Sequence, residues 1–282
     1  MVSSAQKKTA VAHVVTQRLC SVRRACRYLG LPRSTYRYVA PPPPPVPARR
    51  QPLHQRIVAL SWAYPRYGYR RLRSALAKEG WTVSRKQVQR IRRREGLKVR
   101  PKPKKISRRG VSTGLPTQAK HQHHVWTWDF IFDRTDNGGT LKMMTLLDEY
   151  TRQCLTIRVE RQITSAHVLE VLEKAMVQYG IPGYIRSDNG SEFIANNVQA
   201  WLKDHHVKTI YIDPGSPWQN GYIESFHSRF RDECLNREWL LNLREARVVI
   251  EDWRQHYNIE RPHSRLGYLS PEEFIQTKIL TP

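Results

Sequence analysis

The chain has 282 residues, and its 48 Lys and Arg residues against 24 Asp and Glu residues give a formal net charge of +24 at pH 7. This length allows a sizeable core and suggests about two domains, and the charge indicates a polyanionic partner. No apolar run approaches ~18 residues, so no membrane span is predicted. No apolar signal core is found at the N-terminus, so no secretory signal is predicted. The four cysteines form no Cys-x-x-Cys pair, which disfavours a disulfide framework or zinc ribbon. We therefore expect a soluble, cytoplasmic protein.

The positive charge is concentrated in the first part of the chain. Residues 1–120 contain 30 Lys and Arg residues and two acids, for a net charge of +28, whereas residues 121–282 have a net charge of −4. A basic arm joined to a nearly neutral body indicates binding to a nucleic acid. A purely structural RNA-binding protein could be equally basic, but the arrangement of acids in the body argues against that class.

Residues 1–40 are predicted to form a helix-turn-helix. Apolar residues recur at helical spacing over residues 11–29, a Gly-Leu-Pro segment interrupts the pattern, and residues 33–38 start a second, basic helix with Ser34 or Thr35 as its N-cap. A basic helix after a glycine turn is typical of a recognition helix in the major groove. The alternative is an ordinary helical hairpin whose arginines only solvate it. The candidate DNA contacts are Arg23, Arg24, Arg33 and Arg37.

Residues 41–50 are a proline-rich linker with five consecutive prolines, which predicts an extended polyproline II spacer. A ligand for an SH3-type domain is the alternative use of such a segment. Residues 51–100 are predicted to be a second basic, helix-turn-helix-like module of three helices, the last capped by Ser84. Its apolar stripe consists of Val83, Val88 and Ile91. Its candidate DNA contacts are Arg85, Lys86 and Arg90.

Residues 101–120 form a linker rich in Lys, Arg, Pro, Ser and Gly. We expect this segment, including Lys104 and Lys105, to follow the phosphate backbone of DNA without reading its sequence. Its contribution to binding should then fall steeply as the salt concentration rises.

From residue 121 onwards the periodicity changes from helical to strand-like. The predicted elements are strands at 125–132, 141–148 and 154–160, a helix from its cap Thr164 to about Tyr179, a strand at 184–187, a helix at 192–205 and a strand at 208–212. Antiparallel strands followed by alternating helices and strands are the order of a ribonuclease-H-like sheet. The predicted fold class is therefore α/β. A ribonuclease-H-like mixed-sheet catalytic core at 121–236 is preceded by small all-α helix-turn-helix modules and followed by a C-terminal helical region at 237–282.

Three carboxylates are the candidate catalytic and metal-binding residues. Asp129 lies mid-strand between Trp128 and Phe130, Asp188 follows the fourth predicted strand, and Glu224 lies on a helix after the fifth. The first and fourth strands are neighbours in such a sheet, so the three carboxylates can converge, and a divalent metal would relieve their repulsion. Taken alone, Asp188 is equally well explained as a turn residue and Glu224 as an exposed helical acid. For Asp129, in contrast, a purely structural role is weakly supported, because burying an unpaired carboxylate between aromatic residues costs free energy.

Arg231 is predicted to share a helix face with Glu224, because it follows Glu224 by seven positions, which is about two helical turns. A cation two turns from a metal ligand is well placed for a DNA phosphate. The alternative is a surface salt bridge to Asp232 or Glu233. The apolar stripe predicted for the same helix consists of Tyr222, Phe226 and Phe230.

Other polar groups are weaker candidates for a functional role. Asp148 and Glu149 follow the second predicted strand, but no partner motif surrounds them, and Asp213 precedes Pro-Gly as a turn residue would. The three histidines of residues 121–124 could suggest zinc. No cysteine pair lies nearby, so a flexible polar segment that leads into the core is the prediction.

These motifs closely resemble the OrfB-type transposases of insertion-sequence family three, which belong to the DDE transposase and retroviral integrase superfamily. The resemblance covers the chain from about Val15 to Phe274. The zinc module of two His and two Cys that retroviral integrases carry is absent from this sequence, which favours the bacterial branch. The segments that carry the resemblance are residues 21–36, 64–72, 184–193, 216–226 and 256–263, together with Asp129 and Arg231.

The resemblance implies a transposase that cleaves the 3′ ends of its own element and transfers those ends to another DNA strand. Two Mg²⁺ or Mn²⁺ ions, roughly 3.5–4 Å apart, would be held by Asp129, Asp188 and Glu224. The implied partners are double-stranded DNA (terminal inverted repeats and target DNA) and further copies of the chain on the DNA ends. The product of an upstream reading frame, OrfA, is a further implied partner, separate or joined by a frameshift. The implied location is the bacterial nucleoid.

Two other classes of function remain open. The chain could be a DNA-binding repressor that uses only the basic modules, or a simple ribonuclease-H-like nuclease that cuts strands without joining them. A strand-joining assay separates these classes from a transposase.

Overall fold

The computed structural model of the chain describes residues 3–39, 51–99, 118–187, 190, 195–212 and 220–279. The chain divides into two compact units, Met1–Gln51 and Pro52–Pro282. In these described ranges, no helix is both long enough and apolar enough to cross a membrane. The predicted polyproline spacer and nearly all of the basic linker at 101–120 lie outside the described residues.

The first unit contains three short helices where two were predicted. They are α1 (Ser4–Thr16), α2 (Val22–Tyr28) and α3 (Arg33–Arg37). The predicted first helix is divided because the Ser21 side chain accepts a hydrogen bond from the backbone N–H of Arg24 and so caps a new helix. The predicted caps Ser34 and Thr35 are wrong. Pro32 is the N-cap of α3, where its missing N–H removes no intrahelical hydrogen bond.

Three further helices follow, as predicted for residues 51–100. They are α4 (Gln51–Ala63), α5 (Tyr69–Lys78) and α6 (Arg85–Arg94). Ser84 caps α6, as predicted, by accepting a hydrogen bond of 3.2 Å from the backbone N–H of Gln87. The predicted apolar stripe of this helix is confirmed, because Val83 and Val88 are buried and Ile91 packs against them. Arg92 shares the buried side of α6 and donates a hydrogen bond of 2.7 Å to the carbonyl of Tyr67, whereas Arg85, Lys86 and Arg90 are exposed.

The body of the second unit is a five-stranded mixed sheet with the strand order β3-β2-β1-β4-β5. Its strands are β1 (Val125–Arg134), β2 (Thr140–Asp148), β3 (Cys154–Glu160), β4 (Tyr184–Ser187) and β5 (Lys208–Tyr211). The first three strands are antiparallel, whereas β4 runs parallel to β1 and β5 parallel to β4. The predicted ribonuclease-H-like mixed sheet, with its first and fourth strands adjacent, is confirmed.

Helices cover both faces of this sheet. One face is covered by α7 (Ser165–Tyr179) and α8 (Asn196–Asp204). The other face is covered by α9 (Gly221–Phe230), a π-helix (Arg231–Leu235) and α10 (Leu243–Ile259). The last helix, α11 (Pro271–Ile279), contacts α10. The predicted C-terminal helical region thus contains α10 and α11.

The two faces of β1 have different roles, because successive side chains of a strand point in opposite directions. Trp126, Trp128 and Phe130 pack into the cluster of α7 and α8. Ile131 packs into the cluster of α9 and α10, on the same face as Asp129. The aromatic neighbours of Asp129 therefore pack on the face of β1 opposite to its side chain, and the expected need of Asp129 for a partner stays a prediction.

The three-helix segment of residues 51–94 packs against the C-terminal helices through buried charged groups. Glu233 of the π-helix accepts a hydrogen bond of 2.9 Å from Arg71 of α5 and one of 2.7 Å from Arg261. The hydroxyl of Tyr67 lies 2.8 Å from Nε2 of His256 on α10. The segment is therefore joined to the sheet-bearing body by specific polar contacts, in addition to the chain itself.

Candidate functional site

Helix α9 lies along β1 and contacts it at three points. Thr127 donates a hydrogen bond of 3.1 Å to the side chain of Asn220 at the start of the helix. His227 Nδ1 lies 3.7 Å from Asp129 Oδ2. At the far end, Arg231 donates a hydrogen bond of 2.8 Å to the carbonyl of Phe132. These contacts show that the helix follows the strand in the same direction.

Glu224 belongs to the same stripe of the helix surface as these contacts. Asn220, Glu224, His227 and Arg231 recur at intervals of four, three and four residues, which places them on one face. Since Asn220 contacts Thr127 and His227 contacts Asp129, Glu224 lies between two points that are fixed against β1. Its side chain is exposed. The helix thus presents the Glu224 carboxylate beside the segment of β1 that carries Asp129.

Asp129 is held in place by the strand itself and by a neighbouring strand. Its Oδ1 accepts a hydrogen bond of 2.7 Å from the backbone N–H of Phe130, and its carbonyl accepts one of 3.1 Å from Thr145 of β2. Its side chain keeps 23 % of its surface exposed. A carboxylate with this exposure is accessible to a cation from solvent.

His227 does not act as the counter-charge of Asp129. Burial, assisted by the nearby cation of Arg231, lowers the pKa of His227 to about 4, so the ring is neutral at pH 7. The one hydroxyl proton of Thr145 is donated to the carbonyl of Asp129, so the hydroxyl accepts from His227 Nε2–H at 2.8 Å. This network assigns an unprotonated Nδ1 beside Asp129. The ring therefore orients α9 without neutralising the carboxylate.

Asp188, the second predicted carboxylate, lies outside the described residues. Strand β4 ends at Ser187, the residue directly before it, and β4 pairs with β1 from Val125 to Thr127. Of the three predicted carboxylates, the structure describes Asp129 and Glu224. Among the described residues, no group of three or more His, Cys, Asp or Glu side chains is arranged to hold a metal ion.

Strand β4 is fixed by an ion pair inside the protein. Arg186 donates from Nε to Glu149 Oε1 at 2.8 Å, and the two side chains retain 1 % and 0 % of their surface. Glu149 directly follows β2. The pair therefore links the strand that leads to Asp188 with the end of the central antiparallel strands.

The apolar and ionic contacts of α9 differ in part from the prediction. The buried stripe consists of Ile223, Phe226 and Phe230, while Tyr222 is only half-buried. Arg231 has the surface salt bridge foreseen as the alternative, but its partner is Asp133 of β1 at 3.5 Å. Asp232 and Glu233 are the wrong partners because arginines of the α4–α5 segment and of the tail bind them. The Arg231 side chain nevertheless keeps 43 % of its surface exposed.

The weaker candidates have structural roles in this fold. Asp148 accepts hydrogen bonds from the backbone N–H groups of His123 and Thr151, so it shapes the turn after β2. The predicted flexible segment of histidines is wrong for His124, whose carbonyl accepts a hydrogen bond of 3.0 Å from the backbone N–H of Tyr184. These residues continue the pairing of β1 and β4. Asp213 lies outside the described residues.

The predicted DNA contacts that the structure describes are accessible. All seven of them on the helical modules are exposed: Arg23, Arg24, Arg33, Arg37, Arg85, Lys86 and Arg90. In the described parts of the chain, none of these seven side chains forms a salt bridge. Lys104 and Lys105 lie outside the described residues.

Two residues near the site were not foreseen as functional. The signal for His227 was its position three residues after Glu224, which places both on one helix face. The signal for Arg186 was a charged residue in the middle of a short strand, next to Ile185, where a buried ion must have a partner. Neither signal identifies the partner.

Family models match most of the second unit. Residues 48–105 match an HTH-like domain, and residues 119–217 and 205–271 match two models of an integrase core domain. A 39.2 kDa protein of insertion element IS476 from Xanthomonas euvesicatoria is 40 % identical over 270 residues, which are 95 % of this chain and 76 % of that protein. The transposase InsF of insertion sequence IS3A from Escherichia coli is 26 % identical over 77 % of this chain and 80 % of its own length.

Among solved structures, the catalytic core domain of HTLV-2 integrase in complex with magnesium is 15 % identical. It covers 56 % of this chain and 99 % of its own, with a TM-score of 0.42. The sequence relatives and family models are the informative likenesses. The chain belongs to the family of insertion-sequence transposases of the IS3 type, which have an integrase core domain. Membership in this family supports polynucleotidyl transferase activity.

Proposed function

We propose that Asp129, Asp188 and Glu224 bind divalent metal, and that the protein cleaves the 3′ ends of its element and transfers them to target DNA. The ions would be Mg²⁺ or Mn²⁺, two per site, because an all-carboxylate donor set suits these hard cations. When bound, such ions activate a water or a 3′ hydroxyl as the nucleophile and stabilise the departing oxygen.

The observation that carries this proposal is the stripe of α9 along β1. It supports a position for Glu224 between the helix contacts to Thr127 and Asp129. The donor chemistry fits as well, since carboxylate oxygens are the ligands that Mg²⁺ and Mn²⁺ prefer. Asp188 follows β4, the neighbour of β1 in the sheet. Carboxylates brought together in this way repel one another unless a cation binds them.

In this proposal the side chains of the chain itself have separate tasks. Asp129, Asp188 and Glu224 supply carboxylate oxygens. His227 and Asn220 keep α9 in register with β1, so that Glu224 stays on the side of Asp129. Arg231, whose side chain is partly exposed at the end of the same stripe, contacts a DNA phosphate. No covalent enzyme intermediate is needed, because in-line displacement requires only positioned oxygens and charge stabilisation.

DNA binding is proposed for both helical modules. The exposed arginines of α2 and α3 and the exposed basic residues of α6 provide positive surfaces, and tandem modules on one chain raise each other's effective concentration. The proposed partners are the element's inverted repeats, target DNA and further copies of the chain. An upstream-frame product, OrfA, remains part of this proposal as a partner or fusion.

A strand-joining assay tests the proposed function. Purified full-length protein is incubated with DNA that carries the element's ends and with Mg²⁺, and joined products are separated by electrophoresis. Asp129→Asn, Asp188→Asn and Glu224→Gln should each abolish joining, whereas Glu173→Gln, an exposed acid of α7, should not. Joining that survives chelation by EDTA would refute the metal mechanism. Cleavage without joining would indicate the nuclease alternative.

A further inference from the structure

A basic cleft lies on the flank of α9 away from the Glu224 stripe. The cleft has a volume of about 390 Å³ and is formed by α5, the β2–β3 turn, α9 and the segment after α10. Tyr222, Ser225 and Arg229 recur at helical spacing and line it from α9. The buried residues of α9 lie between this row and the Glu224 stripe, so the cleft is a separate surface.

Arginines dominate the lining of this cleft. They are Arg71, Arg152, Arg229, Arg261 and Arg265. Two acids, Asp148 and Glu149, also line it, but both have partners elsewhere. Asp148 accepts backbone N–H groups of the turn after β2, and Glu149 is paired with the buried Arg186. The five arginines of the lining nevertheless outnumber its two acids, so the cleft carries a net positive charge.

At the floor of the cleft, where Arg71 and Arg261 lie, one acid faces two cations. Glu233 binds both Arg71 and Arg261, which leaves one positive charge in excess within this group. The neighbouring His263 carries no charge. Burial and the cation of Arg261 lower the pKa of His263 to about 2, and the neutral ring lies 3.2 Å from the carbonyl of Tyr257. The floor is thus a rigid, positively charged surface.

The rim supplies arginines that solvent can reach. Arg229 and Arg265 are exposed, and no carboxylate in the described ranges pairs with either. Arg152 is half-buried, with its guanidinium 3.9 Å from the ring centre of Tyr222. Its φ of +63° lies in the left-handed region, which is strained for a residue other than glycine. The strained backbone of the β2–β3 turn thus places the Arg152 cation at the mouth of the cleft.

We propose that this cleft binds the phosphodiester backbone of a DNA strand, at a site separate from the metal-binding carboxylates. Phosphate oxygens accept paired hydrogen bonds from guanidinium groups, which is why arginine is favoured at such sites. The proposal rests on the proposed function for the identity of the polyanion as DNA. Because Arg71 belongs to α5, the bound strand also spans the joint between the HTH-like segment and the integrase core.

The test is the salt dependence of DNA binding. Full-length protein is titrated into a fluorescein-labelled, mixed-sequence DNA duplex, in EDTA, at several KCl concentrations, and binding is followed by anisotropy. Removal of one phosphate contact should lower the slope of log K against log[salt] by about 1. Arg229→Gln/Arg265→Gln should therefore bind more weakly with a slope lower by about 1 to 2, and Arg152→Gln should shift the slope in the same direction.

A matched control removes two exposed arginines outside the cleft, Arg237 and Arg244. The proposal is overturned if Arg237→Gln/Arg244→Gln lowers the slope as much as the cleft variant does, or if the cleft variant binds as the wild type does. The rim arginines have no carboxylate partner among the described residues, so equal thermal transitions are expected and verify folding. Since EDTA removes metal, failure of strand joining would leave this result intact.

Discussion

His227 Nδ1 lies 3.7 Å from Asp129 Oδ2, while the other nitrogen of the same ring is 2.8 Å from the hydroxyl of Thr145. The ring thus joins α9 to two neighbouring strands. Because it is neutral, it positions the helix without competing with a cation for Asp129. Correct placement of Glu224 in the proposed site depends on this contact.

His227→Ala should impair strand joining through geometry. The substitution removes the ring's hydrogen bond to Thr145, with an expected cost in unfolding free energy of about 1–3 kcal/mol. If the ring positions Glu224, the variant should need a higher Mn²⁺ concentration for joining and recover part of its rate at saturating metal. An unchanged metal requirement would contradict this role, since a purely structural ring would lower only the amount of folded protein.

The buried pair of Arg186 and Glu149 should behave as one unit in a double-mutant cycle. Arg186→Met removes the buried cation that Glu149 binds, and Glu149→Leu removes the buried anion that Arg186 binds, so each single variant should lose about 3–5 kcal/mol of unfolding free energy. The double variant should lose less than the sum of the two, because it leaves neither charge behind. Urea denaturation measures all four proteins. Strict additivity would show that the pair is not coupled.

Glu233 should stabilise the joint between the HTH-like segment and the core in a pH-dependent way. Burial alone would raise the pKa of Glu233, but the guanidinium groups of Arg261 and Arg71 outweigh burial and lower it below the ordinary value of 4.5. A carboxyl whose folded pKa is depressed stabilises the fold above its unfolded pKa. That stabilisation is lost as the pH falls through the folded value.

Glu233→Gln should therefore cost about 3–5 kcal/mol at pH 7, since the buried Arg261 and the half-buried Arg71 lose their counter-charge. The difference from wild type should shrink below pH 4.5 as the wild-type carboxyl becomes protonated. Urea denaturation at a series of pH values provides the measurement, with Glu173→Gln as the exposed control. A difference that is constant with pH would show that the ionised carboxylate is not the source of the stability.

The exposed basic residues of α6 should contribute to DNA affinity mainly through phosphates. Lys86→Gln and Arg90→Gln are each expected to weaken binding and to lower the salt slope by about 1, because each substitution removes one cation from a DNA phosphate. Fluorescence anisotropy at several salt concentrations measures both quantities. If either variant instead changed the preferred sequence while leaving the slope unaltered, the residue would read base edges.

Local elements were largely predictable from the sequence. The predicted bounds of β3 and β4 match the structure, because strand-forming runs end abruptly at polar or turn residues. Ser84 was recognised as a cap for the same kind of local reason. By contrast, the first helix-turn-helix prediction missed the helix start at Ser21, where a local cap divides a continuous apolar pattern.

Long-range ionic partners could not be predicted. Arg71 and Glu233 are 162 residues apart in the chain, and Arg186 and Glu149 are 37 residues apart. Helical or strand periodicity indicates which side of an element is buried, but it contains no information about which distant element covers that side. For the same reason Arg231 was assigned acids adjacent in sequence, whereas its partner belongs to β1.

Binding of Mn²⁺ to the full-length protein tests the central claim most directly. Titration followed by electron paramagnetic resonance counts bound ions without relying on DNA or turnover. The account predicts that wild-type protein and the Glu173→Gln control bind Mn²⁺ alike. Asp129→Asn, Asp188→Asn and Glu224→Gln should each bind it more weakly by tenfold or more, about 1.4 kcal/mol. Equal Mn²⁺ binding by the three variants and the wild type would contradict a metal site built from these carboxylates.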